Sequence, residues 1–242
     1  MNLERRRCLL AFALALWAAL SCGRDAADQE HFAVLEGDEK GMSQAEMRAR
    51  MDHAIALAPD RVSYWETRAG LRRSEGDVEG AEADLSHAIT LADRPYLRYL
   101  RGLVRGKRGD FAAAKDDLGL AIATQPENRQ FYRGRALVLV SLRDLEAARA
   151  DAEHLLRMSP SNAESLYVRG RVSALAGRPR EAIADYDDVL GRRPELAYVR
   201  RDRATAYEAL GEPESAAGDR GAARAAAEAG AGCGVCGDPW HP

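Results

Sequence analysis

Apolar and polar positions follow one recurring order along most of the chain. The segments AEADLSHAI (81–89), AKDDLGLAI (114–122), ARADAEHLL (148–156) and AIADYDDVL (182–190) align without gaps. Each has apolar residues at its first, fifth, eighth and ninth places, the spacing of one stripe on an α-helix. The copies recur at a period of 34, with one interval of 33. Prolines return at Pro59, Pro126, Pro160 and Pro194, and Asp93 stands at the one place the series skips. A turn signal precedes each segment: Gly76-Asp77, Gly109-Asp110, Arg143-Asp144, Gly177-Arg178 and Gly211-Glu212. Each period predicts two short amphipathic helices joined at that turn, where glycine adopts a conformation other residues resist. One such unit cannot bury its apolar stripe alone, so several must stack.

The packing positions read Trp65/Ala69/Ala81/Leu85/Ala88, Arg98/Gly102/Ala114/Leu118/Ala121/Pro126, Tyr132/Ala136/Ala148/Ala152/Leu155/Pro160 and Leu166/Gly170/Ala182/Tyr186/Val189/Pro194. A large residue, a small one four later, then Ala, an aromatic or Leu, Ala and Pro on a period of 34 resembles the tetratricopeptide repeat. A weaker, more polar copy carries Ala197, Ala204, Tyr207, Ala216 and Ala223 and suits the solvent-facing end of an array. The resemblance implies an all-α, right-handed α-solenoid over 43–228, with repeats near 62–94, 95–128, 129–162, 163–196 and 197–228. Upstream, 43–59 fits only the second helix of a repeat, with Met51, Ala54 and Pro59 in place. Residues 22–42 read as a linker with one candidate helix near 28–37, and 229–242 as a Gly/Cys-rich tail.

Composition agrees with helices. Hydrophobic residues are 46% of the chain but aromatics only 6%, so the core is built from Ala, Leu and Val, with few β-branched side chains. The net charge of −3 argues against general affinity for nucleic acid. Among 35 basic residues only Lys40, Lys107 and Lys115 are lysines. Arginine holds bidentate carboxylate pairs better than lysine, although a biased base composition gives the same skew.

The N-terminus reads as an address. A basic MNLERRR precedes 13 apolar residues, Cys8 to Leu20, too few for a spanning helix of about 20 residues but right for a signal-peptide core. In ALSCG, Ser21 before Cys22 resembles the bacterial lipoprotein lipobox, with Ala19 where that motif most often has Leu. The resemblance implies removal of 1–21, acylation of Cys22 (palmitate or a similar chain) and a cell-envelope location. Gly23 in place of Asp implies the outer membrane, periplasmic side, by the sorting rule of enteric bacteria. Simple secretion and an uncleaved anchor are the alternatives. From Cys22 onward, 32 basic and 37 acidic residues leave −5.

The acids are periodic. Asp84, Asp117, Asp151, Asp185 and Asp219 lie at intervals of 33, 34, 34 and 34, and Arg68, Arg101, Arg135, Arg169 and Arg203 each stand 16 residues earlier. The turn falls midway, and residues equidistant from the turn of a helical hairpin lie opposite each other. A row of Arg–Asp pairs is therefore expected, rather than a catalytic group, which would occur once. The family pattern usually has Leu at the Arg position, which implies partly buried guanidiniums. Asp187 and Asp188 do not follow the series and read as a solvated face.

His53, His87 and His154 share one repeat position, interrupted by Leu120. Packed helices lie about 8–10 Å apart, too far for neighbours to share one ion, so surface histidines are expected. In the tail, Gly232, Gly234 and Gly237 have GxGxxG spacing without the strand and helix of a dinucleotide loop. Cys233 and Cys236 form CxxC near His241. A local disulfide, a metal site completed by another chain, and an inert tail remain open.

No nucleotide loop, HExxH or GxSxG motif is present, so neither enzyme activity nor a cofactor is expected. The family's first helices line a groove for peptides, which implies Glu66, Arg73, Tyr96, Tyr99, Lys107, Arg133, Tyr167, Arg171, Tyr198 and Arg201 as groove positions. Tyr and Arg favour binding hot spots, and the positive charge suits an extended, partly acidic protein segment. The expected function is a protein-interaction scaffold. The alternative is a metal- or redox-handling envelope protein using the CxxC.

Overall fold

The computed structural model describes residues 25–37, 41–160 and 162–228. Among them every regular element is a helix. Helix α1 covers 25–35. It is followed by α2 (Gln44–Leu57), α3 (Val62–Glu75), α4 (Val78–Leu91), α5 (Pro95–Arg108), α6 (Phe111–Thr124), α7 (Arg129–Ser141), α8 (Leu145–Met158), α9 (Ala163–Leu175), α10 (Pro179–Arg192), α11 (Ala197–Ala209) and α12 (Pro213–Glu228). The chain divides into two compact units, Met1–Leu97 and Arg98–Pro242.

Turn chemistry sets where the helices end. Gly76, Gly109, Gly177 and Gly211 take positive φ (72–91°), the left-handed conformation that closes a helix C-terminus. Arg143 adopts the same conformation at φ 61° without glycine's freedom. The following aspartate starts the next helix: Asp77, Asp110 and Asp144 cap α4, α6 and α8 by accepting from the N–H of Gly80, Ala113 and Ala147. Arg178 stands at the equivalent place before α10 and makes no side-chain cap. Between repeats, Asn128 and Asn162 cap α7 and α9, each two residues after the proline that stops the preceding helix.

In the first unit, α2, α3 and α4 pack in sequence. Helix α1 adds Ala27 and Val34 to a core of Met47, Met51, Ala54, Ile55, Ala58 and Tyr64. Polar contacts also fix α1. The Tyr64 hydroxyl donates to Asp28, Arg50 donates to Glu30 at 2.9 Å, and His31 Nε2 lies 2.9 Å from Thr67 Oγ1. Residues 43–59, expected as the second helix of a repeat, have a partner helix before them in α1, which overlaps the candidate helix expected near 28–37.

In the second unit, consecutive helices from α6 to α12 pack on each other, and α9 also touches α7 and α11. Large residues face small ones at the closest crossings. A Cβ at Gly102 would lie 2.9 Å from Leu118 Cγ, and one at Gly170 would lie 2.6 Å from Tyr186 Cε1. Leu118 and Tyr186 are fully buried. A side chain at either position would have to displace its partner, most severely at Gly170, where the ring of Tyr186 fills the space.

Candidate functional site

Arginine and aspartate meet in all five hairpins. Arg68 donates through Nε and Nη2 to Asp84 at 2.9 and 2.6 Å, and Arg101 to Asp117 at 2.8 and 2.7 Å. The pairs Arg135–Asp151 (2.8 and 2.7 Å), Arg169–Asp185 (2.9 and 2.5 Å) and Arg203–Asp219 (2.7 and 2.6 Å) repeat the same fork. The carboxylates are 2–5% exposed. Such planar, bidentate geometry is what distinguishes Arg from Lys. The hydrogen bonds they donate to Asp151 and Asp185 hold the Arg135 and Arg169 guanidiniums above their ordinary range, against the opposing effect of burial.

The neighbourhoods of the pairs differ. Asp117 also receives Arg105 at 2.9 Å and has Arg98 at 3.6 Å, and Asp84 has Arg72 at 3.0 Å. At two places the ladder arginine reaches back one helix as well. Arg68 Nη1 donates to Asp52 at 2.7 Å, and Arg203 Nη1 donates to Asp187 at 2.5 Å. Asp187 is thus not merely solvated. It is half-exposed, but it ties α10 to α11, and its repeat equivalent Asp52 ties α2 to α3. The signal was present in the sequence as a second 16-residue Asp-to-Arg interval.

The histidines pack on rings. His87 lies 4.0 Å from the Trp65 ring and His154 stacks on Tyr132 at 4.2 Å between centroids, while His53 Nδ1 is 3.1 Å from Glu30. Among the described residues no group of three His, Cys, Asp or Glu side chains is placed to hold a metal ion.

The groove positions separate into two kinds. In the second unit, Tyr99 and Tyr167 are 5% and 7% exposed. Tyr99 packs on Phe131. Tyr167 meets the Tyr198 ring edge-on at 5.0 Å and donates to Asp202 at 2.9 Å. Their rings are taken up by neighbouring first helices, so they shape the face rather than present themselves on it. Arg133 and Tyr198 are part-exposed and Arg201 is exposed. Arg133 lies 3.4 Å from Glu164 and Arg171 lies 3.9 Å from Asp202, so nearby acids offset part of the positive charge. Lys107 is exposed on α5. In the first unit, Tyr96 is 46% exposed and Arg73 is exposed. Burial raises the Glu66 carboxyl above its ordinary value, with Arg94 opposing.

Residues 1–24, including Cys22, and the tail with Cys233, Cys236 and His241 lie outside the described residues. No described helix is long and apolar enough to cross a membrane.

Comparison with known proteins agrees with this geometry. Residues 99–163 and 135–197 match a tetratricopeptide repeat family model. Tetratricopeptide repeat protein 36 of Danio rerio is 35% identical over 111 residues, 41% of this chain and 58% of that protein. Tetratricopeptide repeat protein 6 of Homo sapiens is 33% identical over 93 residues, 38% of this chain and 18% of that protein. The chain thus spans less than two thirds of the length of either relative. Among solved structures, a tetratricopeptide repeat protein from Parabacteroides merdae superposes with TM-score 0.72 at 14% identity, covering 81% of this chain and 77% of the other. PilW, a type IV pilus biogenesis factor, also gives TM-score 0.72, at 17% identity over 82% of this chain and 92% of its own. Residues 99–197 thus match tetratricopeptide repeats, and the described residues share the all-α helix-turn-helix fold of these solved structures.

Proposed function

We propose that this protein is an interaction scaffold, exported and held in a bacterial cell envelope by an acyl chain on Cys22. Its first-helix face in the second unit binds an extended protein segment. The observation that carries the reading is that chemistry-bearing side chains recur once per repeat and are spent on structure. The ladder acids, which would otherwise be the candidate catalytic groups, each lie in a buried Arg–Asp fork. Among the groove positions of the second unit, Lys107 and Arg201 are exposed and Arg133 and Tyr198 half-exposed, and Arg and Tyr are residue types that favour binding. Acidic side chains on the ligand suit the two arginines.

The anchor is supported by the Ser21-Cys22 pattern after a 13-residue apolar core. Cys22→Ser should move the protein from the membrane to the soluble fraction, and unchanged membrane retention would refute the anchor. Deleting 230–242 separates the scaffold from a role centred on Cys233 and Cys236, because a scaffold keeps its partner without the tail.

A further inference from the structure

Asp52, Ser86, Gly119, Glu153, Asp187 and Gly221 share one repeat position, and Gly119 is the copy without a side chain that has a ladder arginine 16 residues on. Where the position holds aspartate, the carboxylate accepts from Nη1 of the arginine 16 residues on: Asp52 from Arg68 and Asp187 from Arg203. Arg135 stands to Gly119 as Arg203 stands to Asp187. Its Nε and Nη2 donate to Asp151, and among the described residues no acid accepts from its Nη1. A Cβ at Gly119 would meet nothing within 4 Å, so the vacant place is open space.

That space is a cleft of about 770 Å³ between α6, α7 and α8, with Lys115, Asp116, Gly119, Leu120 and Ala147 around the Arg135–Asp151 pair. Lys115 and Asp116 balance each other in charge, and the Asp144 carboxylate accepts from the Ala147 N–H. The unspent donor is Arg135 Nη1. The same repeat exposes an apolar residue: Leu120, 51% exposed, stands where His87 and His154 pack on rings in other copies. A position without a side chain and an exposed apolar residue thus meet beside the Arg135–Asp151 pair in one cleft.

We propose that this cleft is a second docking site, which takes an aspartate or glutamate side chain from a partner protein segment. The incoming carboxylate accepts from Arg135 Nη1 and so completes the pattern that Asp52 and Asp187 complete from within the chain. Apolar residues beside it on the segment cover Leu120. Asp151 holds the guanidinium in one orientation before the ligand arrives, which lowers the ordering cost of binding. The site is lined by the second helices α6 and α8 and by Arg135 and Leu139 of α7, and it uses none of the groove positions Arg133, Tyr198 and Arg201.

The test uses the full chain and two acetyl- and amide-blocked heptapeptides of Leu and Ala, one with a central Glu and the other with Gln. Binding is followed by NMR at the Arg135 side-chain nitrogens and the Leu120 methyls. The Glu peptide should shift both sets, and the Gln peptide should bind roughly tenfold more weakly, because it loses a charge-assisted hydrogen bond. Gly119→Asp should move the Arg135 Nη1 resonance by itself, raise Tm above that of Gly119→Ala and block the Glu peptide. Gly119→Ala, which adds helix propensity without the carboxylate, should leave peptide binding intact. Equal binding of the two peptides, no Arg135 response to the Glu peptide, or undiminished binding in Gly119→Asp would overturn the proposal.

Discussion

The ring of Tyr186 occupies the space a side chain on residue 170 would need: a Cβ there would lie 2.6 Å from Tyr186 Cε1 and 3.2 Å from Asp185 Cβ. Tyr186 is itself 1% exposed and cannot swing into solvent. In an exposed helix interior, Gly→Ala gains about 1 kcal/mol. Here Gly170→Ala should instead lower Tm, because the ring has to be displaced from a packed core. Gly170→Ala with Tyr186→Leu recreates the Ala69/Leu85 pair of an earlier repeat, and calorimetry should show partial recovery over Gly170→Ala alone. A rise in Tm for the single variant would mean that the crossing is looser than this packing requires.

The Arg–Asp forks should not be equal in worth. Asp117 serves Arg101 and Arg105 at hydrogen-bonding distance, whereas Asp185 serves Arg169, whose side chain is 41% exposed. Removing a partner from a buried pair costs about 3–5 kcal/mol, and from an exposed one about 0–1. Asp117→Ala should therefore lie toward the upper range and Asp185→Ala between the two, with Asp151→Ala also lowering Tm. Urea melts give the order, and wild-type stability in all three variants would remove the ladder from the account.

Three turns depart from the Gly-Asp pair, at Arg143, Arg178 and Glu212, and the first two are separately correctable. Arg143 pays a left-handed backbone penalty of about 1–2 kcal/mol that glycine avoids, so Arg143→Gly should raise Tm despite glycine's larger unfolded-state entropy. Arg178 leaves α10 without a side-chain cap, and an added cap is worth about 0.5–2 kcal/mol. Arg178→Asp should also raise Tm by a few degrees, since about 1 kcal/mol moves Tm roughly 2–4 °C at this size. The two changes act in different turns and share no partner among the described contacts, so a combined variant should show about the sum of the two gains.

Burial holds the His31 imidazole below its ordinary value, with the Asp28 carboxylate opposing. Because the folded value is depressed, the neutral ring's contribution is complete above the unfolded value of about 6.5. It is lost as pH falls from there through the folded value. The first unit should therefore lose stability on acidification from about pH 7 toward pH 5. His31→Gln, which keeps a hydrogen-bonding partner for Thr67, should flatten that slope in thermal melts. Identical slopes would assign the pH response to other groups.

How legible these features were depends on whether they repeat. The Arg169–Asp185 fork follows from two residue series with equal intervals, placed symmetrically about each turn, and five copies make the coincidence hard to miss. Helix α1 had no such support. Its buried apolar residues are the small Ala27 and Val34, while the larger Phe32 and Leu35 are about 60% exposed, so the strongest hydrophobic signal points away from the core. Tyr99 and Tyr167 look like surface groove residues on their own helices. Their burial comes from the approach of the next first helix, a distance that the pattern within one repeat does not encode. Asp187 escaped because its counterpart Asp52 is four repeats away, and the positions between hold Ser86, Gly119 and Glu153.

The most direct test of the scaffold is site-specific photocrosslinking in living cells that express the full chain. A benzophenone amino acid replaces Arg133, Tyr198 or Arg201 on the first-helix face of the second unit, or Glu214 on α12 as a control. The account predicts that the three face positions capture the same protein, identified by mass spectrometry, that deletion of 230–242 leaves the adducts intact, and that the Glu214 position captures none. Adducts absent from all three face positions, or formed equally from Glu214, would contradict it.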